Sequence, residues 1–161
     1  MAKGFQVAVT MVMLACSVFS QNKAEPGETR FGPVDFDQNE MLAFHGQRVK
    51  PEIQGGRGTF LSEAYRMGTT DVVLVTKAGG TACPVRYYFV AVSEAGAKAT
   101  GSFGTCNEAT SIEHKGDSIV LKMQGFLGPF EAEDKRKKAF GERHVFVYRD
   151  GIVTDNGKSV Q

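Results

Sequence analysis

The residues best suited to chemistry in this chain are its three cysteines, Cys16, Cys83 and Cys106. Cys16 lies in a predicted export leader, described below, so the mature domain keeps two cysteines, which an oxidising compartment favours as a disulfide. A hairpin turn centred between Ala95 and Gly96 would bring Cys83 and Cys106 within about one register step of facing each other. There is no C-x-x-C pattern and no neighbouring histidine to indicate a redox or metal site. We therefore predict a Cys83–Cys106 disulfide.

Three histidines, His45, His114 and His144, lie far apart in the sequence without metal-ligand spacing. They are interpreted as surface or strand-end histidines because no H-E-x-x-H pattern accompanies them. Residues 35–39 have the alternating oxygens of a calcium loop, but Glu40 stands where the loop needs glycine for its sharp turn. The sequence also lacks a P-loop, a G-x-S-x-G elbow and a dinucleotide fingerprint. It therefore predicts no catalytic residues, no cofactor-binding residues and no metal ligands.

One apolar stretch, Gly125-Phe-Leu-Gly-Pro-Phe130, falls in a predicted turn instead of a strand. Its large side chains are Phe126, Leu127 and Phe130. The commoner use of such residues is to plug one end of a sheet, and the alternative is an exposed patch that binds a partner. Aromatic anchors commonly dominate interfaces, so these three residues are the candidate partner patch.

The N-terminal twenty residues have the pattern of an export leader. Lys3 supplies positive charge, an apolar core of 11 residues runs from Phe5 to Ala15, and small residues follow. Such a core would span about 16 Å as a helix, about half of a hydrocarbon layer, which is too short for a permanent membrane anchor. Cleavage after Ser20 would remove a signal peptide at 1–20 and give a soluble protein, which we favour. Alternatively, Met13-Leu-Ala-Cys16 resembles a lipobox, with a leader at 1–15 and acylation of Cys16, although the pattern usually has leucine at the first position.

The leader predicts a periplasmic or secreted protein, or a lipoprotein tethered to the outer membrane. The polar residues 21–40 are predicted to be a flexible lead-in, and residues 41–161 a single β domain. Loss of Lys3 with the leader leaves 18 basic and 18 acidic residues. This neutral balance does not favour nucleic acid or an anionic membrane as a partner.

Beyond residue 40, short runs of β-branched and aromatic residues alternate with turn residues. This pattern predicts a mainly β domain, an antiparallel sandwich or open barrel of about seven to nine strands. Residues 71–76 and 86–92 are apolar at successive positions and are predicted to be central strands. Residues 118–124 alternate and are predicted to be half buried. Arg149-Asp-Gly-Ile152 predicts a type I′ hairpin.

Residues 129–141 interrupt the β pattern. Proline stands at the start, acidic residues come first, basic residues follow, and Gly141 lies at the end. This order predicts one short helix near the C-terminal end. Its basic run, residues 135–138, is offset by the neighbouring acids, which indicates a solvated helix surface.

The chain contains Ala82-Cys-Pro84, Phe103-Gly-Thr-Cys106, Gly116-Asp117, Gly125-Phe-Leu-Gly-Pro-Phe130 and His144-Val-Phe-Val-Tyr-Arg-Asp-Gly151. In these motifs, which span roughly residues 70–152, it resembles a set of uncharacterised secreted or periplasmic proteobacterial proteins. The resemblance implies export and a hairpin framed by the Ala-Cys-Pro and Phe-Gly-Thr-Cys motifs. It implies no particular activity.

A small disulfide-closed β scaffold without a catalytic constellation is compatible with a binding protein. We expect a non-enzymatic envelope protein that uses no cofactor and binds another envelope macromolecule, as an inhibitor or immunity-type factor does. One alternative is a small envelope hydrolase or ligand carrier with its site in a barrel mouth, which a cleft joining a histidine to a carboxylate would favour. Another is a structural lipoprotein that depends on acylation of Cys16.

Overall fold

The structure is a computed structural model that describes residues 25–160; the predicted leader and Cys16 lie outside the described residues. Within this range, fourteen strands form three antiparallel sheets, and one helix lies near the C-terminal end. No sheet in the described region closes into a barrel, and the predicted mainly β class is confirmed. The strands outnumber the seven to nine expected because several are only two or three residues long, too short to show a hydrophobic period.

The N-terminal sheet has the strand order β1-β2-β3-β4. Its strands are β1 (Glu28–Thr29), β2 (Gly32–Phe36), β3 (Leu42–Phe44) and β4 (Gln47–Arg48). Strands β1 and β2 therefore lie within the segment 21–40 that was predicted to be a flexible lead-in. Val34 on β2 is only 2% exposed. A short strand needs only one inward side chain to join a core. Because the residues around Val34 are polar, the composition of this segment did not predict a strand.

The central sheet is built on the β7–β8 hairpin. Its strands are β5 (Thr59–Leu61), β6 (Tyr65–Met67), β7 (Thr70–Ala78), β8 (Val85–Ser93) and β9 (Gly96–Ala99). β7 pairs with β8 from Asp71 opposite Val92 to Ala78 opposite Val85. Both β5 and β6 pair with the other edge of β7. The two long strands correspond to the two predicted central strands.

The C-terminal sheet has the order β10-β11-β12-β13-β14. Its strands are β10 (Ala109–Lys115), β11 (Ser118–Gln124), β12 (Arg143–Arg149), β13 (Ile152–Asp155) and β14 (Lys158–Val160). The predicted alternation in β11 is confirmed, with Ile119, Leu121 and Met123 buried. The predicted hairpin between β12 and β13 is also confirmed, because Asp150 and Gly151 have φ of 50° and 80°.

The three sheets stack in layers around two hydrophobic cores. Val73 and Val75 of β7 pack with the N-terminal sheet in one core. Val72 and Leu74, whose side chains point to the opposite face, pack with the C-terminal sheet in the other. The central sheet is therefore buried on both sides, as its apolar strands predict.

The predicted disulfide between Cys83 and Cys106 is present. The β8–β9 turn lies one residue earlier than predicted, since Ser93 faces Gly96 across it. Beyond β9, reciprocal backbone hydrogen bonds between Tyr87 and Phe103 continue the pairing towards the disulfide. Closing a loop of this length stabilises a fold by about 3 kcal/mol on the chain-entropy estimate.

The predicted helix is present as α1 (Glu133–Gly141), four residues shorter at its start than the segment from Pro129. Residues 129–132 form a turn and bend before it. No side chain of α1 is buried, in agreement with a solvated helix.

A buried ion pair fastens the β1–β2 turn to the start of β7. The carboxylate of Asp71, which is 1% exposed, accepts hydrogen bonds from Arg30 Nε at 2.8 Å and from the Arg30 backbone N–H at 2.6 Å. Arg30 Nη2 also donates to the carbonyl oxygens of Gly68 and Thr70. The N-terminal sheet is thus joined to the central sheet by charge as well as by apolar packing.

The Arg30→Ala variant should lose about 3 kcal/mol of unfolding free energy, because it removes the guanidinium and leaves the buried Asp71 carboxylate with only the backbone N–H of residue 30. Arg48 provides a matched control, since it pairs with the more exposed Asp37 at 3.1 Å. Arg48→Ala should cost less than about 1 kcal/mol. Urea denaturation of both variants measures the difference, and equal losses would contradict the role given to Asp71.

Candidate functional site

The connection between β11 and β12 is much longer than its strands require. Gln124 and Arg143 face each other in register, and the 18 residues 125–142 leave and re-enter the sheet between them. Antiparallel neighbours can be joined by two residues, so α1 and its flanking loops are not needed to pair the two strands, and binding residues are disproportionately carried on such connections. Residues 125–142, here called the excursion, therefore form the first part of the candidate site.

Backbone contacts at its base hold the excursion in place. The N–H of Gly125 donates to the carbonyl oxygen of Glu142 at 3.0 Å. A Cβ atom at Gly125 would lie 2.3 Å from the carbonyl oxygen of Ala139, so glycine is needed for α1 to approach this closely. The base of the excursion is thus fixed although the side chains of α1 are solvated.

A second wall of the site is the loop between β9 and β10. The disulfide fixes this loop at Cys106, and the Thr105 hydroxyl donates to the carbonyl oxygen of Gln124 at 2.5 Å. The N–H of Ala109 donates to the Tyr87 hydroxyl at 2.9 Å. Burial raises the pKa of Tyr87 above its usual value, so this acceptor remains a neutral phenol at ordinary pH. The loop therefore presents Phe103 from a well-anchored backbone.

Between the excursion and this loop lies a cleft of about 560 Å³. Its apolar wall is formed by Phe103, Phe126, Leu127, Ala139, Phe146 and Val160. Its charged or titratable residues are Lys135, Lys138, Glu142, His144 and Asp155. A volume of this size is typical of small-molecule sites, and so is a mostly apolar wall with a few polar groups.

The floor of the cleft holds a hydrogen-bonded pair, His144 and Asp155. His144 Nδ1 lies 2.8 Å from Asp155 Oδ2. An ionised carboxylate only accepts hydrogen bonds, so the shared proton is on Nδ1, and Nε2 is left for other partners. Nε2 lies 4.0 Å from Glu142 Oε2. The imidazole therefore lies between two carboxylates.

This pair occupies positions where the strand pattern calls for apolar residues. On β12 the buried side chains are Phe146 and Tyr148, and His144 is the next residue on the same face. On β13 Asp155 is the next residue on the same face after the buried Val153, and it pairs with Phe146 across the strands. Asp155 Oδ1 accepts no hydrogen bond from the protein groups of residues 25–160. The pair therefore places two polar side chains on rows that are otherwise apolar.

The lysines of α1 differ in their surroundings. Lys137 pairs with Glu133 at 2.7 Å, one turn earlier on the helix. Lys135 and Lys138 line the cleft, and neither has an acidic side chain within ion-pair distance among residues 25–160. Within residues 25–160 the cleft therefore carries two ammonium groups without an ion-pair partner on its helix side.

The structure separates the three residues of the candidate partner patch. Phe126 is half buried and, with Leu127, lines the cleft. Phe130 stands outside it, 90% exposed, just before α1. Phe130 therefore does not plug one end of a sheet.

Of the histidines, His45 and His114 are exposed and away from the cleft, as surface histidines are expected to be. His144 is the exception, because Asp155 joins it in the cleft. Sequence reasoning missed Asp155, although the hairpin at Asp150-Gly151 fixes the register that puts it beside Phe146. Among residues 25–160 no group of three or more potential ligands is placed to hold a metal ion.

Over residues 25–160 the protein consists of three stacked antiparallel sheets, with a cleft between the excursion and the β9–β10 loop. No protein-family model matches the chain, and neither the curated proteins nor the solved structures include a match. Within residues 25–160 no helix has the length and apolar character needed to span a bilayer.

Replacing both members of the pair, in the double variant His144→Leu and Asp155→Leu, should leave the free energy of unfolding unchanged or raise it. Apolar side chains of similar volume remove the desolvation cost of the buried polar atoms and extend the existing core. Asp155→Leu alone should be less stable than the double variant, because it leaves the imidazole unpaired. Urea denaturation gives the comparison, and a loss of more than about 2 kcal/mol in the double variant would show that the pair is structural.

Proposed function

We propose that this chain is a non-enzymatic envelope protein that binds another protein, as an inhibitor or immunity-type factor does, through the excursion. The observation that carries the proposal is the exposure of Phe130 on a segment whose helix buries no side chain. Such a segment adds little to the core. Aromatic side chains that become buried on association are a principal source of interface affinity.

Other exposed apolar residues recur along the same segment, namely Leu127 and Phe140. Charged residues of α1 lie between Phe130 and Phe140 in sequence. Apolar anchors within a polar surround are typical of protein interfaces. We assign Phe130 as the principal anchor, with Leu127 contributing from the cleft edge.

Location in the periplasm, or secretion, is part of this proposal and is supported by the leader pattern at 1–20. Intact-mass measurement of protein purified from the native host should show a chain that starts at Gln21. A chain that starts at an acylated Cys16 would instead support the structural lipoprotein alternative. An unprocessed chain would contradict both routes of export.

The second candidate function is a ligand carrier or small hydrolase, and the observation that favours it is the cleft that joins His144 to Asp155. In a nucleophilic hydrolase the histidine would activate a hydroxyl or thiol. Among residues 25–160 no serine, threonine or cysteine side chain is hydrogen-bonded to His144. Ligand binding is therefore the form of this alternative that the geometry supports better.

Phe130→Ala should reduce partner capture while leaving the melting temperature within a few degrees, because an exposed side chain contributes little to folding. A photo-crosslinking amino acid at position 130, introduced in the native host, identifies the partner. Affinity is then measured with the two purified proteins, and a loss of at least about tenfold is expected.

Phe60, which is 66% exposed on β5, is the matched control. Phe60→Ala should keep both the affinity and the melting temperature. Crosslinking at position 130 that is no greater than at position 60, or full affinity in Phe130→Ala, would contradict the assignment of the excursion.

A further inference from the structure

We propose that the cleft binds a small amphipathic anion, a molecule with an aromatic or branched apolar body and one carboxylate or sulfonate group. This inference develops the ligand-carrier alternative and is independent of protein capture through Phe130. It rests on three features of the cleft: its apolar wall, its two lysines without an ion-pair partner and the hydrogen bond that engages one of its two acids.

The apolar wall selects the body of the ligand. The rings of Phe103 and Phe146 lie 5.5 Å apart between centroids and are nearly fully buried beneath the cleft. Phe126 and Leu127 add apolar surface from the excursion. A planar or branched hydrocarbon group would displace water mainly from Phe126 and Leu127, which is favourable in proportion to the apolar area covered, while Phe103 and Phe146 form the packed base beneath it.

The two lysines select the charge of the head group. Lys135 and Lys138 are three residues apart and therefore lie on the same face of α1. Neither has an ion-pair partner among residues 25–160, whereas Lys137 of the same helix is paired with Glu133. An anion beside an apolar wall interacts with such ammonium groups more strongly than it would in open water.

The acids of the cleft reduce this preference without reversing it. Asp155 is hydrogen-bonded to the imidazole of His144, whereas Glu142 lies 4.0 Å from the other ring nitrogen and makes no side-chain hydrogen bond within residues 25–160. The groups without a hydrogen-bonded partner are therefore two ammonium groups and one carboxylate, and their balance is positive. The charge pattern favours a ligand with one negative group at the helix side and no charge on its body.

The probes for this site are 8-anilinonaphthalene-1-sulfonate and its neutral analogue N-phenyl-1-naphthylamine. Each is titrated into the protein as purified from its native host, and binding is followed by fluorescence. The parent protein should bind the sulfonate at one saturable site. The double variant Lys135→Gln and Lys138→Gln should weaken sulfonate binding by about tenfold or more, equivalent to about 1.4 kcal/mol. It should leave binding of the neutral analogue unchanged, because the apolar wall is intact.

Lys137→Gln is the matched control and should bind both probes as the parent does, since Lys137 does not line the cleft. Leu127→Ala should weaken both probes because it removes part of the apolar wall. Phe130→Ala should bind both normally, which separates failure of this inference from failure of the protein-binding proposal. The melting temperature of every variant is measured as well, to show that the fluorescence does not come from partly unfolded protein.

Three outcomes would overturn the inference. The first is a parent protein that does not bind the sulfonate, and the second is unchanged sulfonate binding in the double lysine variant. The third is an equal loss for the neutral analogue, which would show that the lysines act on the shape of the cleft and not through charge.

Discussion

The fold depends on one hairpin, β7–β8, whose strands are apolar on both faces. A two-stranded ribbon of this composition cannot remain in water on either side, so each face requires a covering layer. Residues before it in the chain form the N-terminal layer, and residues after it form the C-terminal layer. The ion pair between Arg30 and Asp71 fastens the first layer, and the Cys83–Cys106 bond fastens the loop that leads into the second.

The cleft follows from how the C-terminal layer ends. The apolar row of β12 stops at Phe146, and the next inward position holds His144 instead of another hydrophobic residue. The excursion then covers this end with a solvated helix instead of closing it with core side chains. Natural proteins depart from consistent local patterning mainly at functional sites, where stability is exchanged for chemistry. The polar pair on an inward-facing row is such a departure.

The features that could be predicted from sequence are those encoded locally. The central strands, the alternation in β11, the turn at Asp150-Gly151 and the helix each depend on a continuous stretch of residues. The Cys83–Cys106 bond could be predicted because one hairpin relates both residues.

The rest depends on contacts between distant segments. Val34 is buried only because β3 and the central sheet cover it, and no periodicity marks so short a strand. His144 and Asp155 meet through the register of β12 and β13, which the Asp150-Gly151 turn sets but which their own neighbours do not reveal. The cleft further requires the loop that carries Phe103, from another layer of the fold.

The hydrogen bond at the base of the excursion, from Gly125 to Glu142, also separates the excursion from the sheets that carry it. Since Gln124 and Arg143 already face each other, insertions or exchanges between them leave the strand register intact. Sequence changes in the excursion therefore disturb folding little, as in the hypervariable loops of other β scaffolds.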